Sequence, residues 1–204
     1  MGVNDLIKIM LFDVDGVLVN GYSFSRRLAR DYGITQEATI SFFRERFGEC
    51  LVGKADLKEE IEGYLPQWGW QGSVDTFLNE WFTTEQTIDE TLVDAIQRLR
   101  QQGIRCYLAT NQEKYRTAYL LDQVGFGKQF DGIFSSAYVG YMKHDPAFFE
   151  HVLRELKNVK AQEILFWDDL PGNAATARKV GLHAELYSDF ADFEKKMSRY
   201  LDES

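Results

Sequence analysis

Cysteine is nearly missing from this chain: Cys50 and Cys106 are the only two, far apart and without the spacing of metal ligands. A cysteine-bound metal site is therefore excluded, and Cys106, inside an apolar run, reads as a buried free thiol in keeping with a reducing compartment. Proline is almost as scarce, with 3 residues, and the composition stands far from disordered or collagen-like chains. Positive charge is in deficit. Lys and Arg total 23 against 32 Asp and Glu, a net charge of -9, so no general affinity for nucleic acid is expected, although a local basic pocket can still hold a small phosphate. No run approaches the roughly 18 to 20 apolar residues of a membrane span. Residues 1–11 lack a basic region followed by a long apolar stretch, so the expected location is cytoplasmic, with no membrane partner.

What is present is an ordinary globular complement, 45% hydrophobic and 27% charged over 204 residues. That is enough for one core carrying an insertion. Residues 7–12 (IKIMLF) form a short β-prone run, and Asp13 and Asp15 stand at its end before Gly16. Beyond residue 86 the pattern becomes regular. A helix over 88–102 stops at Gly103, a strand covers 104–109, a helix 114–124 closes at Gly125, and a short strand follows at 132–135. Asp145 and Pro146 suit the start of a helix over 146–157. A buried strand at 163–167, a helix at 173–180 and a last strand at 183–187 complete the series. Alternation of this kind predicts an α/β fold with a Rossmann-like, doubly wound parallel sheet. Residues 21–85 interrupt it with helical patterns and no strand, which predicts an inserted helical-bundle cap on a core made of 1–20 and 86–204.

In an open parallel sheet, ligands gather outside the carboxyl ends of the strands. Four such ends carry reactive groups: Asp13 with Asp15, Thr110 with Asn111, Lys143 in the loop after the third core strand, and Asp168 with Asp169. Carboxylates converging on one point repel each other, and a bound cation relieves the repulsion; hard oxygen ligands with few carboxylates favour Mg²⁺. DxDG alone is a weak signal, since an acidic pair before glycine is also a common turn. The full set is specific. DVDGVLV at 13–19, LATNQ at 108–112, Lys143, and FWDDLPGNAATARKVG at 166–181 resemble, in order, the motifs of the haloacid dehalogenase-like superfamily.

That resemblance implies a phosphoryl-transfer enzyme whose nucleophile is Asp13, passing through an aspartyl phosphate, with Asp15 as general acid and base. Relatives that cleave carbon–halogen bonds lack the second aspartate, so Asp15 favours phosphoryl transfer. It further implies that Thr110 and the Asn111 amide hold phosphoryl oxygens, and that Lys143 offsets their charge. Mg²⁺ would be held by the Asp13 carboxylate, the Asp15 carbonyl and Asp169, with Asp168 behind a bound water. In this family the lysine is often followed directly by proline, whereas here His144 and Asp145 intervene, which leaves Lys128 as a rival. Trp167, beside Asp168, reads as core. The cap resembles the helical type of small-molecule phosphatases and sugar-phosphate mutases, so the expected partner is a small phosphorylated metabolite, a sugar phosphate above all. Lys54, in a GKAD turn, is the leading cap candidate, ahead of Arg44, Arg46, Trp68 and Trp70. A phosphomutase and a non-catalytic binding module remain the alternatives, and the assembly expected is a monomer or homodimer.

Overall fold

A computed structural model describes residues 7–21, 24–84 and 86–200. The ends of the expected core, 1–6 and 201–204, and residue 85 at the cap boundary lie outside the described residues. Strand β1 (Ile9–Phe12) is buried at all 4 positions, as a central parallel strand must be. After it come β2 (Val19–Gly21), then the helices α1 (Phe24–Tyr32), α2 (Gln36–Glu45), α3 (Phe47–Leu51), α4 (Leu57–Glu62), α5 (Leu65–Trp68) and α6 (Val74–Thr83). The chain re-enters through β3 (Gln86–Ile88) and continues as α7 (Glu90–Gln101), β4 (Arg105–Thr110), α8 (Lys114–Asp122), α9 (Phe126–Gln129), β5 (Ile133–Ser135) and α10 (Ser136–Val139). It ends with α11 (Pro146–Glu155), β6 (Ile164–Asp168), α12 (Pro171–Val180), β7 (His183–Leu186) and α13 (Phe190–Met197).

The five-stranded sheet runs β5-β4-β1-β6-β7 with every pairing parallel. Successive side chains of a strand face opposite sides, so β1 divides its residues between two cores. Met10 and Phe12 pack with Leu92, Ile96 and Leu99 of α7 and with Phe193 of α13. Ile9 and Leu11 pack with Phe148, Phe149 and Val152 of α11 and with Ala174 and Ala177 of α12. Helices thus cover both faces, which is the doubly wound α/β arrangement. Trp167 is wholly buried, its ring 4.7 Å from Phe193. Burial also pushes the Cys106 thiol up to about 12 and the Cys50 thiol up to about 11.

Helices α1 to α6 enclose a core of their own, built on Leu28, Phe42, Ile61, Leu65, Trp68 and Phe77, against which Tyr115 and Tyr119 of α8 also pack. Where the insertion leaves and rejoins the sheet, β2 and β3 pair antiparallel, Val19 against Ile88 and Gly21 against Gln86. This hairpin-like pair departs from the sequence expectation, which placed Ile88 in a helix. Helix α7 instead starts after Asp89, whose carboxylate accepts from the Leu92 amide at 3.0 Å while its own amide donates to Leu18 O. Strands of three residues have no periodicity of their own and exist only because the distant partner is present. Helix α13 follows the strand with which the sequence pattern ends. Among the described residues no helix is long and apolar enough to cross a membrane.

Candidate active site

The backbone of β1 delivers Asp13 to the carboxyl edge of the sheet, where its amide donates to Trp167 O at 2.9 Å. Its neighbour strand β6 ends on Asp168, with Asp169 next. Between these carboxylates lies the ammonium of Lys143, 2.5 Å from Asp13 Oδ1 and 2.7 Å from Asp168 Oδ2. Lys143 is 1% exposed and sits in the loop before α11. The loop reaches that position because its amide donates to Asn111 Oδ1 at 2.9 Å, and because Asp145 caps α11 through the Ala147 amide at 2.9 Å with Pro146 in the first turn. Lys128, the rival, is exposed on α9.

The two adjacent aspartates differ in surroundings. Asp168 is fully buried and saturated: besides Lys143 it accepts from the Leu170 amide at 2.8 Å and from Asn173 Nδ2 at 3.1 and 3.2 Å. Asp169 is half-buried and turned toward Gly16, where a Cβ would lie 2.3 Å from Asp169 Oδ2. Gly16 also has φ +83, so the turn after Asp13 needs glycine on both counts. Oxygens of Asp13, Asp168 and Asp169 lie within 4.8 Å of one another.

Burial pushes the Asp13 carboxyl up to about 7, Lys143 pulls it back and Asp168 adds to the rise. For Lys143 burial acts downward, but Asp13 and Asp168 outweigh it and hold the ammonium above its ordinary value. Burial, followed by the charge of Asp168, also raises Asp169. Three acidic side chains gather about one ammonium, in a cluster of hard oxygen donors at a cleft. That donor set fits a divalent cation.

Asp15 lines the same cleft but takes different partners. Its side chain is largely exposed, accepts from Gln112 Nε2 at 2.6 Å and lies 3.8 Å from Arg116 Nη2. Neither partner was singled out in the sequence, although Gln112 closes the LATNQ run and Arg116 follows it by one helical turn. Arg116 is buried, donates to Phe82 O of the insertion at 2.7 Å, and lies over the rings of Phe82 and Tyr119. Burial lowers its pKa and the nearby Asp15 opposes that shift. Glu113 accepts from the Tyr115 amide at 2.7 Å and from the Arg116 amide, fixing the start of α8.

Asp13, Asp15, Thr110, Asn111, Lys143 and Asp169 line one cleft of about 330 Å³. The structure therefore brings together every core residue expected at the site. It places Lys54 elsewhere: exposed, 4.0 Å from Glu49, it borders a different pocket with Asp56, Lys114 and Tyr138. Arg44 is exposed, Arg46 pairs with Glu60 at 2.9 Å, and Trp68 is buried in the insertion's core. A second cavity, of about 400 Å³, adjoins the cleft through Asp15, Gly16 and Asn111, which line both. Its far wall is aromatic and comes from the insertion.

Comparison with known proteins agrees with this geometry. A sesquiterpene phosphatase of Aspergillus oryzae is 34% identical over 94 residues, 46% of this chain and 47% of that protein. The chain thus spans about half of that relative's length, and less of other curated relatives. Among solved structures, a predicted HAD-like hydrolase of Porphyromonas gingivalis superposes with a TM-score of 0.78 at 22% identity, over 98% of this chain and 100% of that one. A HAD family enzyme of Bacteroides thetaiotaomicron, solved with magnesium and inorganic phosphate, gives 0.77 at 20% identity over 92% and 98% of the two chains. These superpositions establish the shared fold. The haloacid dehalogenase-like hydrolase model matches residues 7–181, and with the motif residues assembled at the strand ends the chain belongs to that hydrolase family.

Proposed function

We propose that this chain is a magnesium-dependent phosphomonoester hydrolase that passes the phosphoryl group of a small metabolite through Asp13. The observation that carries the reading is the Lys143 ammonium clamped between Asp13 and Asp168 at 2.5 and 2.7 Å, with Asp169 in reach. This is a site for gathered negative charge, open to a cleft at the strand ends. The Aspergillus relative's phosphatase name and the magnesium and phosphate of the Bacteroides structure support the same reading.

In it, a carboxylate oxygen of Asp13 attacks phosphorus, and the bond from phosphorus to the substrate oxygen breaks. Asp15 gives its proton to that departing oxygen. Water then attacks the phosphoryl group, returning a proton to Asp15 and freeing Asp13 as inorganic phosphate leaves. Throughout, Lys143 keeps its charge beside the phosphoryl oxygens, and Thr110 offers a hydroxyl to one of them. Asp13, Asp169 and the Asp15 carbonyl would hold magnesium, with Asp168 behind them; the ion supplies charge stabilisation and orients the phosphate. Gln112 and Arg116 orient Asp15 toward the leaving group. Residues 21–85 serve as a cap, since the second cavity is walled by both the insertion and the core. Sugar phosphates, expected from the resemblance, belong in the assay panel beside other small phosphomonoesters.

Phosphate release from a panel of phosphomonoesters, with magnesium or EDTA, tests the proposal. Wild type should release phosphate only with metal, and Asp13→Asn should lose about 10³-fold or more. Appreciable turnover by a folded Asp13→Asn would overturn the nucleophile assignment.

A further inference from the structure

The cavity beside the cleft begins at Asp15 and Asn111, where the alcohol portion of a phosphate ester must lie if Asp15 protonates it. Its other wall is Val19, Phe24, Phe47, Leu51, Trp81 and Phe82. Phe24 and Trp81 stack at 5.5 Å with their planes 7° apart, and Phe47 lies 5.4 Å from Trp81. Phe24, Phe47, Leu51 and Trp81 are only half-buried, although the first two and Trp81 pack against the insertion's own core. Apolar faces left open on a concave surface mark a ligand site, and a volume of about 400 Å³ falls in the small-molecule range.

Apart from Asn20 and the Asn111 side-chain nitrogen, most of the polar lining is already committed within the protein. Gln112 donates to Asp15, Glu113 accepts from two amides, and Arg116 donates to Phe82 O. Thr84 accepts from Arg27 at 3.2 Å and donates to Glu80 O. A hexose, hydroxylated at nearly every carbon, would lose water against aromatic walls with few partners to replace it. An apolar body has no hydrogen bonds of its own with water to lose.

We infer that this cavity takes the apolar alcohol portion of its substrate, so that the preferred esters are phosphates of alkyl, terpenoid-like or arylalkyl alcohols and not of sugars. The inference rests on the phosphatase reading for its orientation and names the substrate class of the same site.

The test measures kcat/KM for straight-chain alkyl phosphates from ethyl to octyl, below their micellar concentrations, beside glucose 6-phosphate. Calorimetry of methylphosphonate and octylphosphonate binding in magnesium buffer gives a readout free of turnover. Kcat/KM should rise roughly fourfold per methylene until the cavity is filled, and octylphosphonate should bind the tighter of the two by a comparable gain. Phe47→Ala and Leu51→Asn should each reduce the octyl-to-ethyl ratio about tenfold; two variants guard against one failing to fold. A flat chain-length profile, or glucose 6-phosphate exceeding octyl phosphate, with phosphate still released, would overturn the inference and leave the phosphatase reading intact. Chain-length-dependent phosphonate binding with no phosphate released from any ester would support the cavity assignment and overturn the phosphatase reading.

Discussion

Adjacent aspartates at the end of β6 are alike in sequence and opposite in circumstance. Asp168 has no exposed surface and spends both oxygens on Lys143, the Leu170 amide and Asn173, whereas Asp169 faces the cleft across Gly16. The first holds the lysine in place; the second is free to act as a ligand. Removing one partner of a buried ion pair typically costs about 3 kcal/mol, because the other partner and its donors stay buried and unmet. Asp168→Ala should therefore lose about 3 kcal/mol in urea unfolding. Asp169→Asn should stay within about 0.5 kcal/mol of wild type, while the magnesium concentration for half-maximal activity rises at least tenfold. The reverse pattern, with Asp169 governing stability, would exchange the two roles. Both residues were evident from the DD pair in the sequence. The resemblance implied Asp169 as ligand with Asp168 behind it, but the clamp of Asp168 on Lys143 was not visible, because that lysine is 25 residues away along the chain.

At the scale of elements, α8 joins the sheet to the insertion. Asp56 caps α4 through the Lys58 and Glu59 amides and also bonds Lys114 and the Tyr115 hydroxyl at the start of α8. Burial alone would raise the Asp56 carboxyl, but Lys114, Tyr115 and the two amides outweigh it and hold the pKa at about 2, below the ordinary 3.8. A carboxylate depressed in the folded state contributes stability that is complete above about pH 4 and is lost as pH falls toward 2. Asp56→Asn should accordingly be less stable than wild type at neutral pH, with the gap closing between pH 4 and 2 in acid unfolding followed by circular dichroism. A gap that stays constant across that range would show that Asp56 matters only as a cap. This clamp was not visible in the sequence, since a loop aspartate before a helix announces the cap alone.

For the whole molecule, the insertion and the sheet share the cavity that adjoins the cleft of the acidic cluster. A cation that binds only the folded chain stabilises it by mass action, about 2.7 kcal/mol when present at a hundred times its dissociation constant. For a chain of this size that corresponds to a rise of about 5–10 °C in Tm. Magnesium should produce such a rise at matched ionic strength, EDTA should reverse it, and Asp169→Asn should largely abolish it in differential scanning calorimetry. An equal rise in the variant would assign the effect to scattered surface carboxylates on a chain of net charge -9.

The alternation of core strands and helices through β7, the sheet's parallel winding and the placement of Asp13, Asp15, Thr110, Lys143, Asp168 and Asp169 at or beyond strand ends were legible in the sequence. Hydrophobic periodicity, capping residues and glycine stops are local signals, and the motif residues sit at fixed offsets from strand ends. Only the tertiary structure decided that Val19 to Gly21 pair with Gln86 to Ile88, and that Gln112 and Arg116 converge on Asp15. It also set Lys54 apart from the cleft and turned Phe24, Phe47 and Trp81 toward a cavity beside it. The physical reason is one of range. A residue's tendency to form helix or strand is written in its near neighbours, whereas which side chains meet depends on how separately formed elements pack, and no short stretch of sequence carries that information.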